Sequence, residues 1–76
     1  MSLQSYAERL RAGGYRFRGT VEELWVMKDE LESCTAKADE MRLVGENRDR
    51  YVFRCWQEKL IEKGIITAPK GVALPL

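Results

Sequence analysis

Few residues of this chain have types and spacing suited to chemistry. It holds two cysteines, Cys34 and Cys55, and no histidine. A structural zinc site takes about four Cys or His ligands, so one chain supplies half a set and no metal site is expected. Carboxylates cluster at Glu22/Glu23, Asp29/Glu30/Glu32 and Asp39/Glu40. Adjacent carboxylates on a helix point in different directions, and no histidine, serine-base pair or glycine-rich phosphate loop joins them. They read as solvated helix surface. Arg54 adjoins Cys55 and would favour its thiolate, yet both cysteines occupy apolar stripes, where a cysteine is usually an inert core residue. The expectation is a protein without catalytic residues, not an enzyme, with no cofactor and no small-molecule substrate.

Length bounds what can position such residues. Seventy-six residues make one domain, and a chain this short buries only about 60% of the surface its unfolded form exposes. Its stability should fall at the low end of ~5–15 kcal/mol, which makes a homodimer worth considering. The N-terminus is polar and lacks an apolar signal core, so the expected setting is the cytoplasm, with both thiols free. No apolar run approaches the ~18–20 residues of a membrane span, and no membrane partner is expected. The net charge of +1 is unevenly spread: residues 1–20 carry +3, residues 21–40 carry −5 and residues 41–76 carry +3. Two basic segments flanking an acidic one are compatible with a surface that faces a polyanion.

Leu3, Tyr6, Ala7 and Leu10 fall at i, i+3, i+4 and i+7, the stripe of an amphipathic helix, and Gly13-Gly14 supplies its stop. Tyr15 to Arg18 alternate apolar and basic residues, the pattern of a short half-buried strand. Thr20 with Glu23 three residues on forms a capping box that opens a second helix. Along it Leu24, Met27, Leu31, Cys34, Ala38 and Met41 repeat at 3-4 spacing, a stripe that can run on to Val44. Ser33 and Thr35 lie within it, and either can cap a fresh helix, so residues 20–44 make one helix or two. Gly45-Glu46-Asn47 reads as a turn. A last helix follows from about Arg48 to Lys63, with Val52, Phe53, Trp56 and Leu60 on its buried face and Gly64 at its end. Residues 65–67 are β-branched and read as a strand. With a turn at 68–71 and a return arm at 72–74, they make a hairpin. The expected fold class is mostly α: three or four helices with a small antiparallel β-sheet.

The ending Leu60-Ile61-Glu62-Lys63-Gly64-Ile65-Ile66, followed by a hairpin with a Pro69-Lys70-Gly71 tip, resembles the recognition helix and wing of winged helix-turn-helix DNA-binding domains. The order helix, short strand, helix, recognition helix, hairpin is also similar to that family's topology. The resemblance covers about half the chain. It departs from the family in the length of residues 20–44, which exceeds the single helix that normally precedes the recognition helix. It implies a winged-helix-like fold, with Tyr15–Arg18 pairing with the hairpin, and a regulatory protein whose partner is DNA. A recognition helix sets its N-terminal half against base edges. The DNA-binding residues it implies are Asn47, Arg48, Arg50, Tyr51 and Arg54, with Lys70 at the wing tip and Arg16 or Arg18 on phosphates. Arg50 and Arg54, with Glu46 and Glu58 four residues to either side, also fit a plain solvated face.

The heptad stripe carries a second expectation. Leu24, Met27 and Leu31, with Trp25 beside them, suit either an intramolecular core against Trp56 and Leu60 or an interface with a second copy or another protein. In the latter case the chain is a helical-hairpin interaction module: an adaptor, inhibitor or oligomerising structural protein. Continuity of the helix through residues 33–36 favours the hairpin, and a break there favours the DNA binder.

Overall fold

The computed structural model describes residues 3–69. Three helices, α1 (Leu3–Ala12), α2 (Val21–Glu40) and α3 (Gly45–Glu62), account for most of them. α2 and α3 form an antiparallel hairpin, and α1 lies across it. The core is Tyr6 and Leu10 of α1, Met27, Cys34 and Ala38 of α2, Val52, Trp56 and Leu60 of α3, and Ile66 beyond it. Each helix contributes residues three or four apart, so the stripes read in the sequence become the three faces of one core.

α2 runs unbroken through residues 33–36, and the Thr35 side chain bonds inside it. The Thr35 hydroxyl donates to the Leu31 carbonyl at 2.8 Å instead of capping a new helix. At its start Thr20 and Glu23 make the reciprocal capping box. At mid-helix Cys34 is joined by a disulfide to Cys55 of α3, with Cα atoms 5.9 Å apart. The expectation of two free thiols is thereby corrected: the two apolar stripes face each other and bring the sulfurs together. Lys63 ties the end of α3 to α2 through Glu30 at 3.1 Å.

All three helices end alike. The amide two residues past each C-cap reaches back five positions: Tyr15 to Leu10, Leu43 to Ala38 and Ile65 to Leu60. This closure needs a residue of positive φ just beyond the helix. Gly14 and Gly64 fill that place in α1 and α3, but in α2 it is Arg42, at φ 58°. A Cβ at Gly14 would also crowd Pro69, at 3.0 Å. Arg42→Gly should relieve the left-handed strain and stabilise the fold by up to about 1 kcal/mol. A rise in the urea midpoint without a change in slope would register it, and an unchanged or lowered midpoint would refute it.

The same closure explains why the small antiparallel sheet and the winged-helix-like arrangement do not form. Among the described residues there is no strand, only one antiparallel bridge between Arg16 and Thr67. The Ile65 amide is consumed by the end of α3 and cannot enter a ladder. On the other side, Gly19 already donates to the Glu23 carboxylate of the capping box. Arg16 and Thr67 exchange amide bonds, at 3.0 and 2.8 Å. The proposed return arm at residues 72–74 lies outside the described residues. The α2–α3 turn also falls earlier than expected, at residues 41–44, and Gly45 already belongs to α3. Met41, expected on the buried stripe, caps α2 and is exposed.

α1 is docked by a cluster of aromatic and charged groups. Tyr6 meets Trp56 edge-on at 5.6 Å and stacks near Phe53 at 6.0 Å. The Arg9 guanidinium covers Phe53 at 4.2 Å. Asp49 Oδ1 accepts from Arg9 at 3.0 Å and from the Tyr6 hydroxyl at 3.2 Å. The Arg9 hydrogen bond holds the Asp49 carboxyl below its usual range, while burial, reinforced by the Asp49 charge, pushes the Tyr6 phenol up. The signs follow from proton linkage. Asp49 contributes stability that is present above its unfolded value near 4 and is lost as pH falls through the lower folded value. Tyr6 contributes stability that is present below about pH 10 and is lost as pH rises through its higher folded value. Asp49→Asn should therefore flatten the acid limb of the stability–pH curve below about pH 4, as read by urea unfolding across pH. Because the Arg9 and Asp49 side chains are 43% and 40% exposed, the effect should stay below about 1 kcal/mol. An acid limb unchanged in the variant would refute the assignment.

Candidate interaction surface

α2 is 20 residues long and α1 only 10, so α1 cannot cover the flank of α2 that α3 leaves open. Core-facing Met27, Cys34 and Ala38 are buried. A second stripe, Val21, Trp25, Lys28 and Glu32, repeats at helical spacing about a third of a turn away from the first. Val21 is 71% exposed and Trp25 61%, with Leu24 between the two stripes at 37%. The Lys28 ammonium lies 5.5 Å from the centre of the Trp25 ring. Together with Leu3 of α1, Val21, Leu24, Trp25 and Lys28 line an open, largely apolar cavity of about 300 Å³. A second cavity of about 410 Å³ shares Leu3 and Lys28 with it and continues along α2 past Leu31, Thr35 and Ala36 to Asp39. The two make one trough beside α2, roughly 27 Å from Val21 to Asp39 at 1.5 Å per residue.

The bank of the trough beyond Trp25 is acidic. Glu22 and Asp29 stand three residues before and four after Trp25, so both neighbour its ring on the helix surface. Other acidic groups of the helix are already engaged: Glu23 in the capping box, Glu30 with Lys63, and Asp39 with Arg48 at 3.1 Å. Glu22, Asp29, Glu32 and Glu40 are exposed, and among the described residues none of them forms an ion pair.

The residues expected at an interface divide between two environments. Leu24 and Trp25 face the trough and Leu31 is half-buried along its wall. Met27 is fully buried, and its carbonyl accepts from the Trp56 indole at 2.7 Å. The residues expected to meet DNA also divide. Asn47, Arg50 and Arg54 are exposed and share the outer face of α3, and neither arginine is in an ion pair among the described residues. Arg48 turns the other way, to Asp39 of α2. Tyr51 is half-buried, beside a shallow groove that Arg54 shares with Glu58 and Glu62. Lys70 lies outside the described residues.

Sequence reasoning missed Leu3, Val21 and Lys28, although the i, i+4, i+7 spacing of Val21, Trp25 and Lys28 was a legible signal. Among the described residues no helix is long and apolar enough to cross a membrane, and no cluster of three His, Cys, Asp or Glu side chains could hold a metal ion. Fold and surface together define a small three-helix domain, a disulfide-linked helical hairpin braced by a short helix. Comparison with models of known families, with curated proteins and with solved structures returns no match to the chain.

Proposed function

We propose that this protein is a helical-hairpin protein-interaction module whose docking surface is the trough along α2. The observation that carries this reading is the exposure of Val21 and Trp25 beside Leu24 on a helix whose core-facing stripe, Met27, Cys34 and Ala38, is fully buried. A contiguous apolar patch rimmed by charge is the usual signature of a binding surface, and a tryptophan at its centre is the residue type that most often dominates binding energy. The unbroken α2 and its antiparallel pairing with α3 favour the hairpin over the DNA binder. The arginine face of α3 offers a DNA duplex Asn47, Arg50 and Arg54, followed along the helix by Glu58 and Glu62 and without a winged-helix frame, and is the weaker reading. Cytoplasmic residence, expected from free thiols, loses that support once Cys34 and Cys55 are joined.

Trp25→Glu tests the module. The side chain is exposed, so the variant should keep the far-UV spectrum and melting temperature of the parent within a few degrees. In affinity capture from cell extract, proteins retained by the parent chain should be lost on the variant. Identical capture by both chains, or retention that depends instead on Arg50 and Arg54 and disappears with nuclease, would overturn the proposal.

A further inference from the structure

We infer that the trough takes a basic amphipathic helix of another protein, an inference that rests on the docking surface just proposed and adds the chemistry of its occupant. The shape argues for a helix. Two open cavities that share Leu3 and Lys28 extend roughly 27 Å along α2, about five helical turns, which suits the mode in which an amphipathic helix places anchors at i, i+3/i+4 and i+7 into a groove. The two ends of the trough differ. The Val21/Leu24/Trp25 end is walled by large apolar groups and accepts a bulky anchor. The Thr35/Ala36 end is floored by small side chains and lets the partner backbone come close.

The charge argues for a basic partner. Glu22, Asp29, Glu32 and Glu40 are exposed and outside any ion pair among the described residues. The cation within the trough, Lys28, already lies against the Trp25 ring. A second copy presenting this same face would set Lys28, the sole lining cation among the described residues, against Glu32 and Asp39, with Glu22 and Asp29 beside them, so two net negative surfaces would meet, which disfavours the pairing. Lysine or arginine flanking an apolar stripe would instead meet carboxylates on the bank of the trough, which steers encounter and fixes register.

An unbiased probe is a phage-displayed library of random 18-residue peptides, selected on the full-length oxidised protein at physiological salt and counter-selected on Trp25→Glu. The expected winners carry net positive charge with apolar residues at i, i+3/i+4 and i+7. A synthetic winner should bind about tenfold more weakly to Trp25→Glu. Against a Glu22→Gln, Asp29→Asn, Glu32→Gln variant the loss should be about three- to tenfold and should shrink as salt rises. Winners of neutral or negative charge, or affinity unchanged in the triple variant, would overturn the basic partner while leaving the trough as a docking surface. No winners, or winners that bind Trp25→Glu equally well, would overturn the docking surface itself. Sedimentation showing a dimer that Trp25→Glu abolishes would assign the trough to a second copy and overturn the basic partner.

Discussion

Trp56→Ala is expected to lower the melting temperature by about 15 °C or more and to leave the fold marginal at 25 °C. Trp56 is fully buried and stands where all three helices meet. Its ring lies 5.6 Å from Tyr6 of α1 and 6.2 Å from Phe53, and its indole nitrogen donates to the Met27 carbonyl of α2 at 2.7 Å. Truncating a buried tryptophan costs about 3–5 kcal/mol. A domain of this length has a total stability of about 4–11 kcal/mol. The substitution therefore removes from about a quarter to all of what holds the fold. Trp56→Phe keeps most ring contacts and gives up the indole donor, a loss of about 1–2 kcal/mol. Far-UV circular dichroism with thermal melting separates the two variants. A cooperative melt of Trp56→Ala within a few degrees of the parent would show that α1 is not docked through this ring.

Reduction of the disulfide, or Cys34→Ser with Cys55→Ser, should have the next largest effect. The bridge closes a loop between residues 21 positions apart. In the chain-entropy model, opening a loop of this length costs about 3 kcal/mol. For a domain of this size each kcal/mol moves the melting temperature by about 4–8 °C, so a drop on the order of 15 °C is expected. The helices themselves should survive near room temperature, because the aromatic cluster and the Lys63–Glu30 pair still join them. Melting curves with and without reductant, read beside the double serine variant, test this. Coincident curves would mean that the bridge adds no stability. The trough lies on the flank of α2 away from the bridge, so peptide binding should persist in the reduced protein below its melting temperature.

Much of the local structure was legible in residue order. The Thr20–Glu23 capping box, the stops at Gly14 and Gly64 and the buried stripe Met27–Cys34–Ala38 all form as their spacing implies. The strands were misjudged because β-branched residues at 65–67 and alternation at 15–18 are weak signals beside a helix closure that uses the same amides. The candidate surface was half legible. Trp25 and Leu24 stood out by type, but their stripe gave no indication of which neighbours would remain exposed.

Sequence by itself therefore determined where α2 begins, where α1 and α3 end and which stripe of each helix is apolar, because those outcomes rest on interactions within about five residues. Tertiary structure decided the rest. It joined Cys34 to Cys55, placed Asp49 under Arg9 and Tyr6, and paired Arg48 of α3 with Asp39 of α2. It also buried Met27 while leaving Trp25, two positions away, in the open. The physical reason is length. A ten-residue α1 cannot cover both flanks of a twenty-residue α2, and no local pattern in α2 reveals how long its neighbours are or where they lie.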